Sequence, residues 1–218
     1  VKLTYYDGSD QDSLARGFSD GAYTAARLFP SSSNFATVEK KYKDNIYNTP
    51  AGSGVAILGF NIDRQSYKHT SKNSDAEKSS TKKAILNKDF RQAITFALNR
   101  ENYSAQVNGK EFAKPAIRNT YVAPAFVQVD GKDFGNVVAD KLTTYGDQWK
   151  GINLADGQDG LYNKDKAKAQ LEKAKAELQK DGVQFPIHID VPVIQNATSV
   201  VTRMQSLKQT VEETLGKD

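Results

Sequence analysis

The chain contains no cysteine, and only two histidines, one tryptophan and one methionine in 218 residues. Without cysteine there is no disulfide scaffold, no thiolate metal site and no cysteine nucleophile. The two histidines, His69 and His188, stand 119 positions apart and form no His-x-x-x-His pair, so a zinc site is not expected. A nucleophilic serine lacks its context too: Ser53 sits in Gly-Ser-Gly, not in a Gly-x-Ser-x-Gly elbow. Neither of the glycine patterns that cradle phosphate is present. Carboxylate pairs for glycoside hydrolysis carry no fixed spacing, and nothing in the chain points positively to one. The acidic stretch 147–165 (DQWKGINLADGQDGLYNKD) has scattered carboxylates without the Asp-x-Asp-x-Asp-Gly spacing of a calcium loop. Neither a metal nor a cofactor is therefore expected. No apolar run approaches the roughly 18 residues of a membrane span.

What is present is a polar chain long enough for a real core: 38% hydrophobic residues, a formal charge of +4 and a mean hydropathy of −0.62. The charge comes from mixed Lys, Asp and Glu and not from arginine blocks, which argues against a nucleic-acid partner. Residues 64–88 hold seven basic side chains against two acidic ones, with Tyr67 as the sole aromatic. A strand-tracking groove needs interleaved stacking aromatics, so this stretch reads as a lysine-rich surface insertion.

Periodicity divides the rest into strands and helices. Residues 1–6 are β-prone and close on Asp7-Gly8. Residues 13–28 read as a broken helix, 34–42 as a short one. The run 55–61 (VAILGFN) is a buried-strand candidate. A helix is predicted over 88–106, a short one over 136–145 and a long one over 164–180, stopped by Asp181-Gly182. Residues 185–193 (FPIHIDVPV) alternate, with Phe185, Ile187, Ile189, Val191 and Val193 on one face; Pro186 and Pro192 on the other face demote the segment to an edge strand. Thr198 or Ser199 is a candidate cap for a last helix carrying the stripe Val200, Met204, Leu207, Val211 and Leu215. The class implied is α/β, a mixed sheet flanked by helices.

The most distinctive wording lies in residues 86–103, LNKDFRQAITFALNRENY. Asn87 is placed to cap, Asp89 falls in the first turn, and Phe90, Ala93, Ile94, Ala97 and Leu98 form one apolar stripe. The segment resembles the D-x-x-V-R-Q-A-(I/L)-x-x-A-(I/L)-(D/N)-R-(E/D) motif of solute-binding proteins from ABC peptide importers. Residues 18–30 (FSDGAYTAARLFP), 61–70 (NIDRQSYKHT), 80–100, 145–162 (YGDQWKGINLADGQDGLY) and 182–193 (GVQFPIHIDVPV) extend the likeness across the chain. The chain is identified as similar to the streptococcal oligopeptide-binding lipoproteins of extracellular solute-binding family 5.

That resemblance implies a periplasmic-binding-protein-like fold of type II. It also implies a two-lobed extracellular receptor, lipid-anchored at the cell surface, that encloses an oligopeptide and delivers it to a membrane permease. Such ligands are held through their backbone, with side chains in hydrated pockets, which suits low selectivity. The family's lipoprotein signal and anchoring cysteine are not in this chain, nor is its Gly-Trp-x-x-Asp-Tyr-x-Asp-Pro segment with the aspartate that anchors the peptide's amino terminus. The expectation is one lobe, residues 1–218, of a longer monomeric receptor. By the same resemblance, the loop Gln195, Asn196, Ala197, Thr198, Ser199 faces ligand, where a helix N-terminus suits a carboxylate; capping alone is the alternative for Thr198 and Ser199. Asn61 falls near the hinge, with plain turn chemistry as its alternative. Trp149 is a candidate cleft wall, though packing is favoured for it. Arg91 is expected to be structural, bonded to backbone or an acid. A secreted hydrolase and a surface adhesin on the same fold stay open as other readings.

Overall fold

A computed structural model describes residues 1–47, 54–123, 125–152, 154 and 160–217. Its centre is a pair of helices, α4 (Lys88–Ala97) and α7 (Lys164–Lys180). Ala93 and Ala97 on one and Ala167 and Ala174 on the other are wholly buried. Around this seam Phe90, Ile94, Leu171, Leu178 and Val183 join Ala84 of α3 (Asp75–Leu86) in the main core. Phe96 and Ala97 form a second cluster with Ala167, against which Trp149, Ile152 and Leu161 pack. Helix α8 (Thr198–Leu215) closes both clusters with Val211 and Leu215.

Local chemistry sets the ends of these helices. The Asn87 side chain accepts from the Phe90 N–H at 2.9 Å, the predicted cap. Arg91 donates to the carbonyls of Ile85 and Leu86, at 2.6 and 2.9 Å. The motif arginine is thus structural: it satisfies the orphan carbonyls at the end of α3 and fixes the α3–α4 corner. Gly182, at φ +70°, ends α7 with two reverse bonds, its own N–H to Gln179 O and the Val183 N–H to Leu178 O, and Val183 packs beside Leu178. The Asn163 N–H donates to Phe96 O at 2.9 Å, tying the start of α7 to the end of α4.

Three expectations need correction. The helix predicted over 88–106 is two helices. Leu98 leaves helical geometry, and the Asn99 side chain accepts from the Asn102 N–H to start α5 (Arg100–Ala113). Residues 64–88 are not a plain surface insertion. They contain α3, opened by a Ser74–Glu77 capping box and burying Ser80, Thr81 and Ala84, and Lys72 is 4% exposed. The mixed sheet is also absent among the described residues. The one ladder there is a two-stranded antiparallel hairpin, β1 (Gln128–Val129) with β2 (Lys132–Asp133), turned by Asp130 and Gly131, both at positive φ. Residues 1–6, 55–61 and 185–193 have strand-like sequences but find no ladder partner, and Ile57 and Leu58 are exposed, not buried.

The remaining elements surround the core. Helices α1 (Gln11–Ser19) and α2 (Phe35–Tyr42) form an N-terminal flank. It leans on α5 where Ser31 donates to Val107 O, and where Gly109 meets Pro30 so closely that a Cβ would fall 2.8 Å from the proline ring. Helix α6 (Phe134–Leu142) follows the hairpin, capped by Asp133. Phe96→Ala would empty a fully buried site at the α4–α7 seam; a loss of about 3–5 kcal/mol is expected, read by urea unfolding.

Candidate functional site

Among the described residues a well-formed polar constellation joins the 61–73 loop to the 184–194 segment. Helix α3 holds that segment in place: the Ser80 hydroxyl oxygen accepts from the Gln184 N–H at 3.2 Å, and Thr81 donates to His188 O at 3.4 Å. Phe185 and Ile187 pack on the core beneath. Two residues on, one carboxylate oxygen of Asp190 accepts three bonds: from Arg64 Nη1 at 2.5 Å, Thr70 Oγ1 at 2.8 Å and Lys72 Nζ at 2.8 Å. The Lys72 side chain is 2% exposed and that of Asp190 22%. Arg64 is held flat by Tyr67, whose ring centre lies 4.1 Å from the guanidinium carbon.

Burial works against the Asp190 anion. Bonds from Lys72, Arg64 and Thr70, and the Lys72 charge, outweigh it and hold the carboxyl down at about 2. Residues 68–71 and 189–192 line an open depression of about 660 Å³ beside this junction. Beyond it, the Ala197 N–H donates to Ile194 O at 3.0 Å, turning the chain into α8.

Of the residues singled out from sequence, Gln195 and Asn196 are exposed on this turn, Thr198 is exposed and Ser199 half-buried. Neither hydroxyl caps α8. The N-cap position is Ala197, with no side-chain bond to the helix amides. The Thr198 hydroxyl turns away to donate to Ser9 O at 3.2 Å, anchoring the N-terminal flank. The capping expectation fails because the helix starts one residue earlier than a hydroxyl cap requires. Its first amides are left without a side-chain partner. Asn61 is exposed, and its side-chain oxygen accepts from the Asp63 N–H at 3.1 Å, a local turn three residues before Arg64. Trp149 is half-buried with its ring 5.5 Å from that of Phe96. It shares a cluster with Val211 and Leu215, roughly 20 Å along α8 from the Gln195 turn at 1.5 Å per residue. The 195–199 loop thus follows the Asp190 segment in the chain and leads into α8, while Trp149 packs toward the other end of that helix. His69 and His188 are both exposed. Among the described residues no group of three His, Cys, Asp or Glu side chains is disposed to hold a metal ion. Residues 155–159 of the acidic stretch lie outside the described residues.

Sequence reading missed Asp190 and Lys72. They are 118 positions apart, and no local pattern links them. The one available signal was an aspartate on the polar face of an otherwise apolar alternation.

Comparison with known proteins gives the chain a family. The model of bacterial extracellular solute-binding proteins, family 5, middle region, matches residues 1–217. The chain belongs to that family, and membership brings the periplasmic-binding-protein-like fold with it. Over 216 residues it is 62% identical to the oligopeptide-binding protein AmiA of Streptococcus pneumoniae, matching 99% of this chain. It is 59% identical to the oligopeptide-binding protein SarA of Streptococcus gordonii and 58% to the oligopeptide-binding protein AliA of S. pneumoniae, each over all of this chain. The chain spans about a third of the length of these curated relatives. Among the described residues no helix is long and apolar enough to cross a membrane.

Asp190→Asn leaves Lys72 buried without its anion, and a loss of about 2 kcal/mol at neutral pH is expected from urea unfolding. The wild-type advantage is fully present above the ordinary carboxylate range and is lost as the pH falls through about 2. The two unfolding curves should therefore converge there.

Proposed function

We propose that this chain is one lobe of the substrate-binding component of an ABC importer. In this reading the receptor is extracellular and lipid-anchored, works as a monomer, captures oligopeptides between two lobes and passes them to a membrane permease. It acts on no nucleic acid, catalyses no reaction and uses no cofactor. The observation that carries the reading is the 62% identity, along 99% of the chain, to a protein named for oligopeptide binding. The absence of any catalytic constellation in the sequence is consistent with it.

The geometry supports a ligand-facing role for the 195–199 loop. Gln195 and Asn196 offer exposed amide donors and acceptors. Thr198 and Ser199 begin an 18-residue helix whose leading amides have no side-chain cap, so the helix end keeps its partial positive charge for a peptide carbonyl or carboxylate. Asn61 turns the loop that carries Arg64 to Asp190. Trp149 stands apart from this loop, packed against Phe96, and is left out of the proposed contacts. Contacts of this kind read main-chain groups common to every peptide, which suits broad uptake.

The test is calorimetry of the full receptor polypeptide with a mixture of short peptides, alongside the double variant Gln195→Ala, Asn196→Ala. About tenfold weaker binding with an unchanged melting temperature is expected. Unchanged affinity in the variant would remove the loop from the site, and a full receptor that binds no peptide would overturn the functional reading itself.

A further inference from the structure

Helices α5 and α8 pack together but leave a groove of about 250 Å³ between them. Its lining departs from the rest of the chain. Of all residues 26% are charged, yet the groove holds a single carboxylate, Glu213, and no lysine or arginine. Amides and hydroxyls make up the walls. Asn102 and Gln106 line it from successive turns of α5, and Thr202, Ser206 and Thr210 from successive turns of α8. Thr210 is buried, and one turn further the Thr214 hydroxyl oxygen is buried without a partner. Such a stripe between two packed helices is where apolar side chains belong.

Much of this hydrogen-bonding capacity is unspent. Thr202 and Thr210 donate to carbonyls of their own helix, at 2.9 and 3.2 Å. The Gln106 amide donates to Asn102 O at 3.1 Å, and that of Gln209 to Glu213 at 2.8 Å. Among the described residues no hydrogen bond crosses from α5 to α8, and the side chains of Asn102, Gln205 and Ser206 have no hydrogen-bond partner in the chain. Arg203 of α8 is engaged elsewhere: its Nε donates to Ser199 O at 3.1 Å, and its guanidinium carbon lies 5.7 Å from the centre of the Tyr103 ring.

We infer that the α5–α8 groove binds a neutral sugar. An anionic ligand finds no cation in the groove, and a cationic one finds a single carboxylate already shared with Gln209. An apolar ligand would strip water from amides and hydroxyls and return no hydrogen bond. A sugar hydroxyl both donates and accepts, as do the serine and threonine hydroxyls and, through its two ends, a carboxamide. One sugar ring can therefore pair with Asn102 and Gln106 on one side and with Gln205, Ser206 and Gln209 on the other, bridging helices that share no bond of their own. The inference does not rest on peptide binding.

Saturation-transfer NMR on the full receptor polypeptide tests it, with glucose and N-acetylglucosamine as probes in separate samples. Transfer to at least one of them is expected, with a dissociation constant on the order of 1 mM. The double variant Gln106→Ala, Gln209→Ala should weaken it about tenfold at an unchanged melting temperature. Ser206→Ala removes one hydroxyl at a helical position that alanine suits; it should weaken binding as well, and it carries the test if the double variant does not fold. A saturating mixture of short peptides should leave the sugar signal as it was. No transfer to either sugar at roughly 10 mM would overturn the inference and leave the groove to water. Transfer that persists undiminished in both groove variants, or that peptides abolish, would overturn it too, because the sugar would then sit elsewhere. A receptor that binds sugar in this groove and no peptide would sink the peptide reading alone.

Discussion

Four alanines set the geometry on which the rest of this lobe depends. With Ala93, Ala97, Ala167 and Ala174 wholly buried, α4 and α7 turn small side chains into the core beside Phe90, Ile94, Leu171 and Leu178, and small changes of volume there have little slack to absorb them. Everything else is positioned from it. Arg91 fixes the α3 corner against α4, α3 then presents Ser80 and Thr81 to the 184–188 segment, and that segment carries Asp190 to the 61–73 loop. The chain of dependence runs from helix packing, through side-chain to backbone bonds, to the Asp190 junction.

That junction illustrates how an ion cluster can order a loop without adding much to the core. One carboxylate oxygen gathers an arginine, a lysine and a threonine. The lysine is the costly member, since its charge is out of water. Its burial is tolerated because the anion facing it is also bonded by Arg64 and Thr70. The result is a fixed register between two segments that share no ladder, directly upstream of the loop assigned here to ligand.

Sequence carried much of the helical part of the fold. The bounds and stop of α7 were legible to the residue, as were the Asn87 cap and the structural role of Arg91, because these depend on neighbours within a turn or two. The break at Leu98 was hidden because Asn99 and Arg100 read equally well as an exit from one helix or a start to the next. Helix α3 was masked by its lysines, although Ser74 and Glu77 are a capping box in plain view. Strands are a different matter. Alternation marks 185–193 as able to pair, but pairing is a property of two segments, and among the described residues no second one is paired with it. For the candidate site, the 195–199 loop was reached through family resemblance, not through any local signal. The Asp190 cluster was beyond sequence because its members meet only after folding.

The single bond from the Asn163 N–H to Phe96 O has a wider consequence. It sews together the points where the chain leaves α4 and where it begins α7, so the long excursion between them starts and finishes at one place. The ends of that excursion are held by the core, not by its contents. Loop-closure entropy grows only logarithmically with length, so the stretch between Ala113 and Asp147 is free to lengthen, shorten or be rewritten at modest cost.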